Sequence, residues 1–270
     1  MKVPRAPLIS KPCLEALYHT YNSQKWIHPD PLEFLYLYED PNDREIVGLI
    51  ASSLAYGRVA QILKSVASVL EKMGPSPCRF LEKTPAQSLQ NIFFDFKHRF
   101  STSEELVGMF MGIKRAVDRY GSLYGCFISG FKESDQDTLP ALSFLVDQLR
   151  VGFNGRCNSL LPSPQRGSAC KRLNLFLRWM IREDFVDPGG WSGIPTTKLI
   201  VPLDTHMHRI CSLLRLTCRK NTGMRTALEI TSAFRRVHPQ DPVRYDFALT
   251  RFGIRKDLNP SALFSFFRRL

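Results

Sequence analysis

The sequence lacks the features that define several classes of protein. No apolar run approaches the roughly 18 residues of a membrane helix, and basic residues and prolines interrupt the apolar residues near the N-terminus, unlike a signal peptide. The seven cysteines include no CxxC pair, which disfavours a disulfide framework or a structural zinc site. Apolar and polar residues rarely alternate, so few strands are expected. We expect a soluble, reduced, cytoplasmic chain.

Acidic residues are also fewer than basic residues. Lysine and arginine number 37 and aspartate and glutamate 25, which gives a net charge of +12. Such a balance favours an anionic partner, either nucleic acid or an acidic membrane, although a basic surface can also serve solubility alone. The 270 residues are enough for one large domain or for two modest lobes.

Apolar residues recur at helical spacing along most of the chain, which predicts an all-α protein. The clearest stripe covers residues 59–73 and is stopped by Gly74 and Pro75. Residues 153–167 lack periodicity and contain two prolines and two glycines, so they are the predicted boundary between lobes. Further helices are predicted at about 43–57, 103–119, 138–151, 167–182, 223–237 and onward from Asp204 and from Asp241.

Asp204 opens one of these helices in the sequence PLDTHMHRI. Aspartate is among the best N-cap residues, and a cap contributes about 1 kcal/mol. A carboxylate at a helix start can also face a cleft and take part in chemistry. Both interpretations stay open from the residues alone.

Lys171 stands near the start of the helix predicted over 167–182, which is apolar on more than one side. A lysine is usually a solvated surface charge. If its amine is instead held in neutral form beside an apolar wall, it can attack a carbon electrophile. Lys171 and Asp204 at two helix starts are therefore a candidate pair for covalent catalysis.

Two segments carry a family resemblance. The run GSACKRLNLFL is similar to the second half of the helix-hairpin-helix motif of DNA glycosylases of the endonuclease III type, and PLDTHMHRI resembles their aspartate-containing segment. The C-terminal half, from Gly167 through Trp191 and Asp204 to Ile254, looks closer still to a bacterial family known as domain of unknown function 2400.

The resemblance to the glycosylases implies a two-lobed helix-hairpin-helix DNA glycosylase-like fold with a cleft between its lobes. Residues 46–152 are expected to form a helical barrel lobe, and residues 1–45 plus 153–270 the second lobe with the hairpin and the Asp204 helix. Lys171 matches the lysine nucleophile of bifunctional members, and Asp204 matches the superfamily's aspartate. The carboxylate would stabilise positive charge on the deoxyribose.

The sequence differs from the glycosylase pattern at several points. LPSPQRGSACK has a single glycine near the lysine where the usual hairpin has LPGxGxK, so the phosphate-binding hairpin is expected to be remodelled. The lysine-to-aspartate spacing, 204 − 171 = 33 positions, exceeds that of endonuclease III. No CxxC follows Cys211 and Cys218, so we predict no iron–sulfur cluster and no other cofactor. Cys211 is expected to pack in the core.

The sequence offers further candidate site residues besides Lys171 and Asp204. Trp191, in a glycine-rich loop, is a candidate for stacking on an extruded base or, alternatively, a core cover. Asp204, His206 and His208 are not expected to bind a metal, because positions two apart on a helix diverge. Candidate DNA contacts, each of which can equally be an ordinary turn or surface residue, are Tyr56, Arg58, Arg166, Gly167, Ser168, Arg172, Arg178 and His206.

The expected function is base excision from double-stranded DNA by a glycosylase or a glycosylase with AP lyase activity. The expected chain is a monomer that does not bind membranes and is nucleoid-associated if it repairs DNA. Two alternatives stay open: a nucleic-acid-binding module without catalysis on the same fold, and a helical adaptor for other proteins.

Overall fold

The computed structural model describes residues 9–151, 158–255, 257–258 and 263. The described chain is mainly helical, with one short antiparallel pair of strands, β1 (Lys97–His98) and β2 (Ser101–Thr102). The all-α prediction is confirmed. The α-helices are α1 (Lys11–Tyr21), α2 (Pro41–Ser53), α3 (Val59–Met73), α4 (Pro77–Lys83), α5 (Ala86–Ile92), α6 (Ser103–Tyr120), α7 (Leu123–Ser129), α8 (Leu139–Arg150), α9 (Lys171–Ile181), α10 (Thr205–Leu213), α11 (Met224–Val237) and α12 (Asp246–Ile254).

Local sequence explains where several of these helices begin and end. The Asp40 carboxylate accepts hydrogen bonds from backbone N–H groups in the first turn of α2. Thr102 and Glu105 form a capping box at the start of α6. Gly74 ends α3 with φ of +73°, a conformation that glycine adopts without steric cost. The helices predicted at 59–73, 103–119, 138–151 and 223–237 are confirmed within a few residues.

Helix α9 lies at the centre of the described structure. It packs against α2, and Trp179 and Phe176 on it are both fully buried. Helices α6, α7 and α8 pack on one another, while α12 contacts both α1 and α10. Buried residues lie on more than one side of α9, as its apolar pattern indicates, and burial of apolar side chains is the main stabilising term of the fold.

The helix predicted to begin at Asp241 is α12, and it begins at Asp246 instead. The Asp241 Oδ2 atom accepts a hydrogen bond from Arg182 Nε at 2.9 Å, so its carboxylate serves an ion pair and not a helix cap. Residues 241–245 form turns that lead into the helix. The sequence pattern was wrong here because Asp-Pro also suits a turn.

Two buried arginines, Arg178 of α9 and Arg182 directly after it, bind a set of aspartates. Arg178 pairs with Asp187 and Asp246, and Arg182 pairs with Asp187 and Asp241. Arg178 was predicted as a phosphate contact, and that prediction is wrong, because its side chain is only 3% exposed and bound to carboxylates. Arg178 and Arg182 are one helical turn apart, so both reach Asp187.

The division into lobes stays a prediction. Residue 46, its first boundary, falls inside α2, and residues 152–157, at its second boundary, lie outside the described range. Across the described residues, the structure holds no helix long and apolar enough to cross a membrane.

Glu45 of α2 is a second buried charge-bearing group. Its carboxylate accepts hydrogen bonds from the backbone N–H groups of Leu123 and Tyr124 at 2.5 and 2.9 Å and from Trp191 Nε1 at 2.9 Å. These bonds join α2 to the first turn of α7. Burial raises the pKa of Glu45 to about 7, although the three donors act to lower it.

We predict that Glu45→Gln removes a pH dependence of stability. The folded chain retains a proton on Glu45 that the unfolded chain releases above pH 4.5. The stabilisation from this proton is fully present below pH 4.5 and is lost as pH rises through about 7. The loss amounts to about 3 kcal/mol. Urea denaturation of both chains at several pH values measures it.

The free energy of unfolding of the wild type, relative to Glu45→Gln, should fall between pH 4.5 and 8. The exposed Glu39→Gln is the matched control and should track the wild type. Parallel pH profiles for wild type and Glu45→Gln would contradict the prediction.

Candidate functional site

A cleft of about 570 Å³ lies beside the start of α9. Its walls come from the turn between α2 and α3, the segment that precedes α9, the first turns of α9 and α10, and α12. Six of the predicted site residues in addition to Lys171 line it, namely Tyr56, Ser168, Arg172, Arg178, Asp204 and His206. The volume lies within the range of about 300–1,000 Å³ that is usual for small-molecule sites.

Lys171 is the first residue of α9 and extends into this cleft. Its Nζ atom donates a hydrogen bond to the backbone carbonyl of Ala55 at 3.3 Å. Cys170, the preceding N-cap residue, has φ of +46° and therefore lies in the left-handed region. The side chain of Lys171 is 27% exposed, so the amine is accessible to a ligand and partly shielded from water.

Asp204 uses its two carboxylate oxygens differently. Oδ1 accepts a hydrogen bond from the backbone N–H of Met207 at 2.8 Å and so caps α10. Oδ2 lies 3.9 Å from Lys171 Nζ. The cap prediction is confirmed, and the cap orients the second oxygen towards the lysine amine.

The segment before α9 is a compact turn. Pro164–Arg166 form one 3₁₀ turn, and Gly167 follows with φ of +75°. The Gly167 carbonyl accepts from the backbone N–H of Met224 at 3.1 Å, which ties the turn to α11. Ser168 lines the cleft, whereas Gly167 and Arg166 are exposed outside its lining. Their proposed phosphate contacts stay predictions.

Tyr56 is held rigidly in the cleft wall. Its hydroxyl donates to the His98 carbonyl at 2.8 Å and is also hydrogen-bonded to the Ser101 hydroxyl, with 2.7 Å between the two oxygens. Its ring packs against Phe100 at 5.0 Å and below the Arg172 guanidinium at 4.9 Å. Sequence patterns did not indicate Phe100, which is 63% exposed.

Arg172 has a structural role that the sequence pattern did not predict. Its guanidinium donates to the Ser53 carbonyl at 2.6 Å and to the Ser159 carbonyl. These bonds join the end of α2 to the segment that precedes α9. A phosphate contact by Arg172 stays a prediction, because a guanidinium has five donors and these two bonds use only part of them.

His206 and Arg58 differ in their relation to the cleft. His206 is exposed and lines the cleft beside Gly253. His208 bonds the Arg219 carbonyl at 2.8 Å instead. In the parts of the chain that the structure describes, no group of three histidine, cysteine, aspartate or glutamate side chains is arranged to hold a metal ion. Arg58 precedes α3 and is exposed outside the cleft lining.

Trp191 lies in the core, and its prediction as a stacking residue of the base pocket is wrong. Its side chain is 4% exposed, it does not line the cleft, and its ring packs between Phe127 and Phe176 at 5.3 and 5.1 Å. The indole N–H donates to Glu45. The glycine-rich loop folds the indole inward because this partner satisfies its polar atom.

The floor of the cleft contains three residues that the sequence patterns missed, Asp30, Asp246 and Arg251. Arg178 pairs there with Asp246, and Arg251 pairs with Asp30 at 2.5 Å. Asp246 and Arg251 lie on α12 among apolar residues, and that part of the sequence gave no indication that a cleft reaches them. Cys211 is fully buried, as predicted.

Residues 30–255 match the model of a family described as protein of unknown function (DUF2400). The chain belongs to this family. The match covers Lys171, Asp204 and the residues of the cleft floor. No curated protein and no solved structure matches the chain.

We predict that Asp204 stabilises α10 as a cap independently of its charge. Asp204→Ala removes the acceptor for the Met207 N–H and should lower the free energy of unfolding by about 1 kcal/mol. Asp204→Asn retains an acceptor oxygen and should lose much less. Urea denaturation of the two variants beside the wild type measures the difference, and an equal loss in both would contradict capping.

Proposed function

We propose that the chain is a DNA base-excision glycosylase with AP lyase activity, built on the two-lobed helix-hairpin-helix glycosylase fold. The observation that carries this proposal is the approach of Lys171 Nζ to within 3.9 Å of Asp204 Oδ2 inside a cleft. The two residues are 33 positions apart and come from different helices. The net charge of +12 supports an anionic partner.

Lys171 supplies the nucleophile in this proposal. Its neutral amine attacks the deoxyribose C1′, the C1′–N bond breaks with its electron pair going to the base, and the base takes up a proton. The attached nitrogen then loses a proton, the C1′–O4′ bond breaks with its electron pair going to O4′, and O4′ takes up a proton. The product is a protonated Schiff base with a double bond between Nζ and C1′. The Ala55 carbonyl, 3.3 Å from Nζ, orients the amine by accepting one of its N–H groups.

Asp204 supplies charge stabilisation. Positive charge develops at C1′ as the glycosidic bond lengthens, and a fixed carboxylate nearby lowers the energy of that state. The Oδ1 cap to Met207 holds the side chain in place, so Oδ2 needs no rearrangement to act. Asp204 Oδ2 lies 3.9 Å from Lys171 Nζ and can accept the proton that this nitrogen loses after it has attacked C1′.

The base must leave the DNA stack to reach Lys171. The cleft offers space for an extruded base, with Tyr56 in one wall and Leu175 of α9 in another. In this proposal Ser168 and His206 at the rim, with the exposed Arg58, Arg166 and Gly167, contact the phosphate backbone. Arg172 keeps Tyr56 in position beneath its guanidinium.

We predict that borohydride traps the wild-type chain on a duplex with an abasic site and that Lys171→Gln abolishes the adduct. Borohydride reduces the Schiff-base C=N bond to a stable amine and so makes the protein–DNA link permanent. Asp204→Asn should reduce release of a damaged base while leaving DNA binding intact. Gel separation of the trapped complex measures the first effect, and filter binding the second.

The exposed Lys132→Gln is the matched control and should form the adduct at the wild-type rate. An adduct that persists in Lys171→Gln would assign the chemistry to another amine. DNA binding without an adduct or base release on any duplex would favour the non-catalytic module. DNA binding that does not weaken as salt is raised would contradict a nucleic-acid partner.

A further inference from the structure

Asp246 is a buried carboxylate in the floor of the cleft. It is the first residue of α12, its side chain is 3% exposed, and it is among the residues that line the cleft. Its Oδ2 atom accepts a hydrogen bond from Arg178 Nη1. Its Oδ1 atom has no hydrogen-bond partner within the described residues.

A buried oxygen without a hydrogen-bond partner is uncommon in folded proteins. Buried polar atoms are nearly always paired, because an unpaired one has lost its water and gained nothing in return. Among the described residues, Asp246 Oδ1 is the one buried, unpaired side-chain atom that belongs to a residue of the cleft. A donor group of a molecule that reaches Oδ1 from the cleft would supply the missing hydrogen bond.

We propose that Asp246 recognises the molecule in the cleft by accepting a hydrogen bond from an N–H group of that molecule. This inference rests on the function proposed above, where the molecule is an extruded base with an amino or imino N–H. Asp246 is then a residue that determines specificity, while Lys171 and Asp204 carry out the chemistry.

The charges around Asp246 favour a neutral donor. Arg178 and Arg251 in the same floor would repel a cationic ligand, whereas the carboxylate itself would repel an anionic one. Burial raises the pKa of Asp246 to about 6, Arg178 opposes this rise, and the nearby Asp204 and Asp187 add to it. The carboxylate form therefore predominates at neutral pH and accepts hydrogen bonds only.

Asp246→Asn gives a sharp test, because the orientation of the new amide is determined by its neighbour. Arg178 has donors and no acceptor, so the amide oxygen must turn towards Arg178. The amide NH₂ then occupies the position of Oδ1, and an acceptor becomes a donor without a change of shape. A base that donates to Asp246 would meet a second donor.

The experiment compares single-turnover base release with trapping on an abasic-site duplex. The base-release duplexes carry one hypoxanthine, uracil, 8-oxoguanine or 3-methyladenine each. For the base that the wild type releases fastest, Asp246→Asn should slow release by about 10- to 100-fold, the loss expected for a hydrogen bond to a charged group. The abasic-site adduct should form at the wild-type rate, because that substrate has no base.

Asp187→Asn is the matched control. Asp187 binds the same Arg178 and is fully buried, but it does not line the cleft. It should disturb the ion-pair network without the selective loss of base release. Equal loss of base release and abasic-site trapping in Asp246→Asn would assign Asp246 a structural role, and unchanged release would overturn the proposal as well. If the wild type forms no abasic-site adduct, the proposed function fails, and this inference fails with it.

A second measurement uses the wild type alone and so does not depend on the folding of a variant. Free adenine and purine differ by one amino group, as do guanine and hypoxanthine, and each is tested as an inhibitor of abasic-site adduct formation. At least one amino-bearing base should inhibit more strongly than its amino-free partner. Equal inhibition within both pairs would overturn the proposal.

Discussion

The arrangement of this chain depends on the buried ion pairs between α9 and its neighbours. Arg178 and Arg182 lie in the core and bind carboxylates from the loop after α9 and from the start of α12. Isolated buried charges are very unfavourable, so removing one partner of such a set costs about 3–5 kcal/mol. The directed hydrogen bond from Arg178 to Asp246 therefore fixes the start of α12 relative to α9.

The same ion pairs position the cleft. Lys171 begins the helix that carries Arg178, and Asp204 caps α10, which packs against α12. The distance between Lys171 and Asp204 therefore depends on how α12 is held against α9. Arg178 provides that hold through Asp246, which also forms part of the floor. Framework and candidate site thus share one set of residues.

Much of this could be predicted from local sequence, and the failures have a common cause. Helical periodicity indicated the main helices, and Asp204 was predicted as a cap because its partner, Met207, is three residues away. The roles of Arg178, Asp241 and Trp191 depend on partners distant in the sequence. Spacing along one helix does not show whether an arginine faces solvent or a buried aspartate.

Charge is distributed differently inside the cleft and over the whole chain. Four cationic residues line the cleft, Lys171, Arg172, Arg178 and Arg251, against three carboxylates, Asp30, Asp204 and Asp246, so the lining carries 4 − 3 = +1, whereas the chain carries +12. The excess positive charge therefore lies mainly outside the cleft, where it can attract phosphates over a long range. A nearly balanced interior suits a neutral group, which is recognised by directed hydrogen bonds and not by charge. This division of charge fits the proposed function, in which DNA is the polyanion and an uncharged base enters the cleft beside Lys171.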